Sequence, residues 1–191
     1  MRIKSVFLIS FGIVLVSLFI FFLIPGALEI FSFSGKTFLS GEFWRLITFS
    51  FVHITTLHLI ENIVAIALVS FLAYEFGLAG RSFVVFFIAV SFVIALADAF
   101  MFPLLVIAGA SLGIYGVLGV LSIKGSNFVP KVYLIPLLGA SVFLKYLLTL
   151  FTGSGSYSDL PQTLFHFSGF VTGLFLFYIP RKFKKRKYVL K

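Results

Sequence analysis

Three stretches of the chain carry polar side chains that could together do acyl-transfer chemistry within apolar surroundings. They are GASLGIYG with Ser111, HFSGFVTG with His166, and HLIEN with His58 and Asn62. A histidine that takes the hydroxyl proton of a serine turns that serine into a nucleophile. Further N–H donors stabilise the oxyanion that forms when the serine attacks a carbonyl. Because no acidic residue lies near His166 in the sequence, the pattern favours a Ser–His dyad over a triad.

The depth of these side chains decides between chemistry and packing. Taken alone, a serine among small residues of a membrane helix is most often a packing residue. Measured along each helix from its predicted inner end, however, Ser111, His166 and Asn62 all lie about 20 to 22 Å away at the helical rise. Three helices therefore place their polar residues in one layer.

The composition indicates the environment of that layer. Hydrophobic residues make up 61% of the 191-residue chain and charged residues 11%, so the chain is predicted to be an integral membrane protein. Cysteine is absent, which excludes thiolate metal sites, and no cofactor or metal site is predicted. The net charge of +9 could indicate a nucleic-acid partner, but the basic residues lie in short loops and the tail, so none is expected.

Apolar runs predict an all-α polytopic membrane protein with six transmembrane helices in a single domain, residues 1–191. A span needs about 20 apolar residues. The first run is too long for a signal peptide and has no cleavage site, so we interpret it as a retained helix. Residues 25–56 mix charged, glycine and aromatic residues and predict a partly embedded loop between helices 1 and 2. The predicted spans are 5–24, 57–76, 82–101, 110–123, 131–150 and 162–179.

Basic residues predict the orientation of these spans. With a short cytoplasmic N-terminus and a cytoplasmic basic tail from about residue 180, all but three of the 15 lysines and arginines lie on the inner side. The exceptions are Lys36, Arg45 and Lys145. The site then opens to the outer side. No transit peptide is evident, which favours a prokaryotic plasma membrane.

The fourth helix is predicted to be too short to cross the bilayer. Pro103 and the Gly109–Ala110 pair break the run 99–123, which leaves a helix of about 21 Å against a hydrocarbon core of about 30 Å. Ser111 then begins this helix about 10 Å below the outer surface, where irregular backbone requires protein or a water-filled cavity around it. Free N–H groups and the positive end of the helix dipole lie there, and both suit an oxyanion.

Helical spacing predicts which faces meet. Tyr115 shares the face of Ser111, and Gly169 and Gly173 share the face of His166. Small residues let membrane helices approach closely, so the glycines would bring the fourth helix within reach of His166. A second small-residue face on the fourth helix is predicted to consist of Gly109, Gly113 and Gly116.

These motifs resemble those of the rhomboid family of intramembrane serine proteases in its six-span form, over nearly the whole chain. WRLITFSFVH, HLIEN, GASLGIYG and HFSGFVTG are similar to the family's motifs and occur in the same order. The resemblance implies Ser111 as nucleophile, His166 as general base, and His58 and Asn62 as oxyanion donors. It also implies that Tyr115 stacks against His166.

The resemblance further implies supporting roles in the first loop and the class of substrate. Trp44 and Arg45 would be structural residues of the embedded loop, and His53 a structural or hydrogen-bonding residue. The expected partners are transmembrane protein substrates, cut within or beside a transmembrane segment, and the lipid bilayer.

Two positions depart from the expected pattern. Leu112 stands where the family commonly has glycine; its backbone N–H is retained, but its side chain needs space. Glu61 lies beside Asn62 on the second helix, and an ionisable residue inside a membrane is a functional candidate by default. We hypothesise that Glu61 hydrogen-bonds neighbouring polar groups.

Two other functions are compatible with a membrane bundle. A catalytically silent rhomboid-like protein that binds membrane proteins usually lacks the serine or the histidine, and both are present here. A transporter or channel would need polar residues through the full depth of the membrane, whereas here they collect in one half.

Overall fold

A computed structural model describes residues 4–152 and 159–185, and their regular structure is helical. Three segments lie outside the described residues: 1–3, 153–158 and 186–191. The first and last belong to the predicted cytoplasmic N-terminus and basic tail. The α-helices are α1 (Lys4–Leu23), α2 (Ala27–Phe31), α3 (Gly35–Leu39), α4 (Arg45–Thr48), α5 (Thr56–Glu75), α6 (Gly80–Met101), α7 (Ser111–Lys124), α8 (Lys131–Ser141), α9 (Leu144–Thr152) and α10 (Asp159–Lys185).

The long helices have the length and composition of membrane spans. Among the described residues, α1, α5, α6 and α10 are each long and apolar enough to cross a membrane, and the bent pair α8–α9 qualifies as a fifth span only if its two helices are counted as one. Helix α7 has 14 residues, or about 21 Å, and is the short fourth helix predicted from the sequence. The prediction of an all-helical polytopic membrane protein is therefore confirmed.

The sequence predicts a single helix over 131–150 for the fifth span, and Pro136 inside it favours a kink at that residue. The structure differs on both points. Helix α8 runs through Pro136, and the chain bends by 50° only after Ser141. At the bend, the amides of Val142 and Phe143 bond to carbonyls three residues back, at 3.2 and 3.0 Å, instead of four. These shorter-range bonds tighten the backbone at residues 142 and 143, and the Phe143 ring packs 5.2 Å from that of Phe167. The bend therefore follows from these contacts and not from Pro136.

The predicted embedded loop folds into α2, α3, α4 and a 3₁₀ turn, held by Arg45. The Arg45 guanidinium is buried and donates to the carbonyls of Glu29 and Ser32 at 2.7 and 2.8 Å. Its Nε donates to the Glu42 carboxylate at 2.7 Å. Arg45 therefore satisfies backbone carbonyls that the irregular chain leaves unpaired.

The embedded loop also holds the segment that leads into α7. Phe33 and Ile107 exchange backbone hydrogen bonds of 2.9 and 2.8 Å, and the Gly109 amide donates to the Phe49 carbonyl at 2.9 Å. Residues 102–110 are thus bonded to protein where they leave the helical structure, as irregular backbone at membrane depth requires. The position of Ser111 depends on these bonds.

Helix α7 is the centre of the bundle. Every residue from Leu112 to Ile123 is buried except Tyr115, and Ser111 is half-buried. Because Ser111 and Tyr115 lie one turn apart, the first turns of α7 are open on a single face. Among the described residues, the first two turns of α7 are therefore accessible on the side that holds Ser111 and Tyr115.

Candidate functional site

Ser111 is the first residue of α7 and lies at one end of the helical bundle. The Ile114 amide donates to the Ala110 carbonyl at 3.0 Å, and the three amides before it occupy positions that a helix leaves without a partner of its own. Ala110, the capping residue, provides no side-chain hydrogen bond. N–H donors therefore lie beside the Ser111 hydroxyl, at the positive end of the helix dipole.

Gly109 brings the His58 imidazole to this helix start. Its φ is +111°, and a Cβ built there would lie 2.7 Å from Cε1 and 2.8 Å from Nε2 of His58. Only a residue without a side chain fits that conformation and that contact. The imidazole of His58 thus lies against the backbone two residues before Ser111.

Asn62 lies one turn along α5 from His58. It is 5% exposed, and its Nδ2 donates to the His58 carbonyl at 2.8 Å. The same Nδ2 is 3.8 Å from the position of a Cβ on Gly109. An amide nitrogen carries two N–H groups, so this bond orients the amide and leaves a second donor. The structure thus brings both predicted oxyanion donors to the start of α7.

His166 lies on α10 against Tyr115. Their rings are stacked, with centroids 4.8 Å apart and planes at 30°. His166 and Tyr115 are both half-buried. Since Tyr115 follows Ser111 by one turn on the open face of α7, His166 lies beside the same face.

Close backbone contacts between α7 and α10 make this stacking possible. A Cβ on Gly173 would collide with the Gly116 carbonyl oxygen, and one on Gly169 would lie 3.1 Å from the Leu112 carbonyl oxygen. The two predicted glycines therefore face α7, as expected from their spacing with His166.

Gly119 makes a further contact between α7 and α10 that was not predicted from the sequence. A Cβ on Gly119 would collide with the Phe170 carbonyl oxygen and lie 3.1 Å from the Leu174 amide nitrogen. Helices α7 and α10 run in the same direction. Ser111 lies eight residues before Gly119, and His166 lies eight residues before Leu174. The contact therefore places those two residues at one depth. Its signal was the spacing of glycines by three along α7.

The prediction of a second glycine face on α7 is wrong for Gly109. Gly113 and Gly116 direct their missing side chains at Phe87 and Val90 of α6. Gly109, in contrast, precedes the helix and faces His58. Helical spacing could not apply to Gly109, because its positive φ already lies outside the helix.

Leu112 fits into a buried apolar cluster. Its side chain is 1% exposed and belongs to a cluster with Phe33 and Phe49 of the embedded loop and Ile94 of α6. Gly169 provides the space on the side of α10, where a Cβ would lie 3.6 Å from Leu112 Cδ2. The leucine therefore points away from the open face of α7, and its backbone N–H stays at the helix start.

His53 and Trp44 occupy different surroundings in the embedded loop. His53 is 4% exposed, and neither ring nitrogen has a hydrogen-bond partner among the described residues. Its ring meets that of His58 edge to face at 5.1 Å. Burial, together with the nearby His58, lowers the pKa of His53 to about 4, so its ring is neutral. Trp44 is half exposed at the surface of the loop.

These observations define a polytopic helical membrane protein in which polar residues of three helices meet at the start of a short, buried helix. The family model for the rhomboid domain matches residues 40–183. The chain therefore belongs to the rhomboid family, whose members are generally intramembrane serine proteases. The match includes α4 to α9, α10 as far as residue 183, and every motif described above. No curated protein matches the chain.

Proposed function

We propose that the chain is an intramembrane serine endopeptidase that uses Ser111 and His166 as a catalytic dyad. The observation that carries the proposal is the stacking of His166 on Tyr115 along the open face of α7. Membership of the rhomboid family supports the same chemistry.

The proposed reaction proceeds in two steps. His166 takes the hydroxyl proton of Ser111 while the Ser111 oxygen attacks the carbonyl carbon of a peptide bond. The C–N bond then breaks, the amine leaves with the proton from His166, and an acyl-enzyme ester remains. Water, deprotonated by His166, then attacks the ester carbonyl. The ester C–O bond breaks, the Ser111 oxygen takes the proton back from His166, and the new carboxyl end of the peptide leaves.

Donors at the start of α7 stabilise the oxyanion of both steps. They are the Ser111 N–H, the second Nδ2 hydrogen of Asn62 and the His58 imidazole. Gly109 supports this arrangement, because the His58 imidazole lies 2.7 to 2.8 Å and Asn62 Nδ2 3.8 Å from the position that its Cβ would occupy, two residues before Ser111.

The substrates in this proposal are transmembrane proteins, cut within or next to a membrane-spanning segment. The length of α7, 14 residues or about 21 Å, supports a site below the membrane surface, because it is shorter than a hydrocarbon core of about 30 Å. We further propose that both termini are cytoplasmic, that the site opens to the outer side, and that the membrane is a prokaryotic plasma membrane. Reporter fusions at the two termini test this orientation.

Labelling with a fluorophosphonate probe tests the dyad. The purified protein should be labelled and should cleave a transmembrane reporter, and Ser111→Ala should lose both activities. Ser122→Ala is a matched control, because Ser122 is a buried serine of the same helix whose hydroxyl bonds to the Gly119 carbonyl at 2.7 Å. Labelling that survives Ser111→Ala, or failure of the unmutated protein to label and cleave, contradicts the proposal. The second result would favour a catalytically silent binder of membrane proteins.

A further inference from the structure

Basic residues collect at the end of the bundle opposite to Ser111. Helix α7 ends there at Lys124, α8 begins there at Lys131, and α10 ends there because it runs in the same direction as α7. Helix α5 runs away from the proposed site to Glu75, so α6 also begins at this end. The basic residues of these helix ends are Arg81, Lys124, Lys131, Arg181, Lys182, Lys184 and Lys185. Since Glu75 is the one acidic residue here in the described part of the chain, this end is strongly positive and attracts anions.

Close packing joins the end of α7 to the start of α8. Gly125 follows Lys124 and is buried, and a Cβ on it would lie 2.8 Å from Leu134 Cδ2 and 2.6 Å from the Phe76 ring. Leu134 lies one turn after Lys131 on α8. The two lysines therefore flank a connection that is packed against both α8 and the end of α5.

Lys131 of α8 lies against Tyr178 of α10. Its Nζ is 5.7 Å from the centroid of the Tyr178 ring, within the range of a cation–π contact. Both residues are exposed. The ring covers one side of an ammonium group that carries three N–H donors, so the outer side can donate to an anion. Because Arg181 follows Tyr178 by three residues, a second basic residue lies one turn further along α10.

Three exposed tyrosines indicate the depth of these basic residues in a membrane. Tyr74 near the end of α5, Tyr133 near the start of α8 and Tyr178 on α10 are 39%, 67% and 44% exposed. Tyrosine is enriched where a membrane meets water, because its ring is apolar and its hydroxyl is polar. Lys131 precedes Tyr133 by two residues and contacts Tyr178, so its ammonium group lies at the level of lipid headgroups.

We propose that the surface formed by the ends of α7 and α10 and the start of α8 binds the phosphate of an anionic phospholipid headgroup. Lys124 and Lys131 donate to the phosphate, and Tyr178 holds Lys131 in place. Basic pockets between membrane-spanning helices bind phospholipid headgroups in this way. A lipid fits this surface better than free phosphate, because α8 continues with the apolar residues Val132 and Leu137, which are 70% and 65% exposed and which an acyl chain can cover. The surface lies far from Ser111, so its binding does not depend on the proposed function.

Competition between two lipids tests this binding. The purified full chain in a neutral detergent is titrated with phosphatidylglycerol in the presence of phosphatidylcholine, which has no net charge, and native mass spectrometry counts the bound lipids. The protein should prefer phosphatidylglycerol, and the preference should weaken as the ionic strength rises. Lys131→Gln should lower the apparent affinity for phosphatidylglycerol about fivefold, which is the contribution of one lysine near an anionic surface. Lys131→Arg, which keeps the charge, should keep the affinity.

Matched substitutions separate this surface from general attraction by the basic tail. Lys36→Gln removes an exposed lysine at the other end of the bundle, where the Lys36 amide donates to the Pro103 carbonyl, and should leave the preference unchanged. Tyr178→Leu removes the ring without changing the charge and should also lower the affinity. The tail is intact in every variant, so a preference that survives Lys131→Gln combined with Lys124→Gln overturns the inference. The same conclusion follows if the unmutated protein has no preference, if Lys36→Gln has an equal effect, or if inorganic phosphate at the same concentration displaces the lipid.

Discussion

Replacing Gly109 by alanine should displace the His58 imidazole and reduce the rate of cleavage. A control substitution can show how much of the effect is due to lower stability of the fold. The new Cβ would lie 2.7 to 2.8 Å from the imidazole, whereas ordinary contacts begin at 3.4 Å. His58 would have to retreat by about 0.6 Å, and displacements of this order cost about 10- to 100-fold in rate. The φ of +111° adds about 1 to 3 kcal/mol of backbone strain in alanine.

Gly41 provides the matched control for this substitution. Its φ is +95°, but no atom lies within 4 Å of the position of its Cβ. Gly41→Ala therefore introduces comparable strain without the contact. Cleavage of a transmembrane reporter and the midpoint of thermal unfolding should be measured for both variants. We expect similar losses of stability and a loss of activity in Gly109→Ala alone. Equal activity in the two variants would refute the proposed contribution of His58 to catalysis.

Three further predictions concern the contacts that support the site. Gly173→Leu should separate α7 from α10, because its side chain would occupy the place of the Gly116 carbonyl; labelling should fall at least about 100-fold, and a normal rate would contradict the role of that contact. Arg45→Ala should lower the free energy of unfolding by about 2 kcal/mol, since three hydrogen bonds to a buried cation are lost; an unchanged melting temperature would refute this. The pKa of His53 is lowered from 6.5 to about 4 in the folded protein. As the pH falls, the unfolded chain therefore binds a proton at a higher pH than the folded chain does. The free energy of unfolding should decrease between pH 6.5 and pH 4, by up to about 3 kcal/mol. His53→Gln should lose this dependence in thermal unfolding, and a dependence that persists would exclude His53 as its source.

The positions of the helices along the chain could be predicted from the sequence. Apolar runs determine where spans lie, and the constant rise of a helix converts residue numbers into depth. For this reason Asn62 and His58 were expected in the layer of Ser111, and the structure brings them to Gly109. The stacking of Tyr115 on His166, expected only from the resemblance, is also observed.

Details that depend on contacts between elements could not be predicted. Spacing alone assigns Gly109 to a helical face, because a sequence does not reveal a positive φ that tertiary contacts impose. The bend after Ser141 depends on local hydrogen bonds and on Phe143, whereas Pro136 gave a stronger local signal. The space for Leu112 is formed by three separate elements, so it could not be seen in any single one.

The burial of α7 has a consequence for the exchange of backbone hydrogens with solvent. From Ile114 to Ile123 the helix is enclosed on nearly all sides, so these amides can exchange only when the whole bundle opens. The amides of Ser111, Leu112 and Gly113 have no helical partner and lie beside the open face. Within α7, slowly and rapidly exchanging amides should therefore be neighbours, and the boundary between them lies within one turn of Ser111.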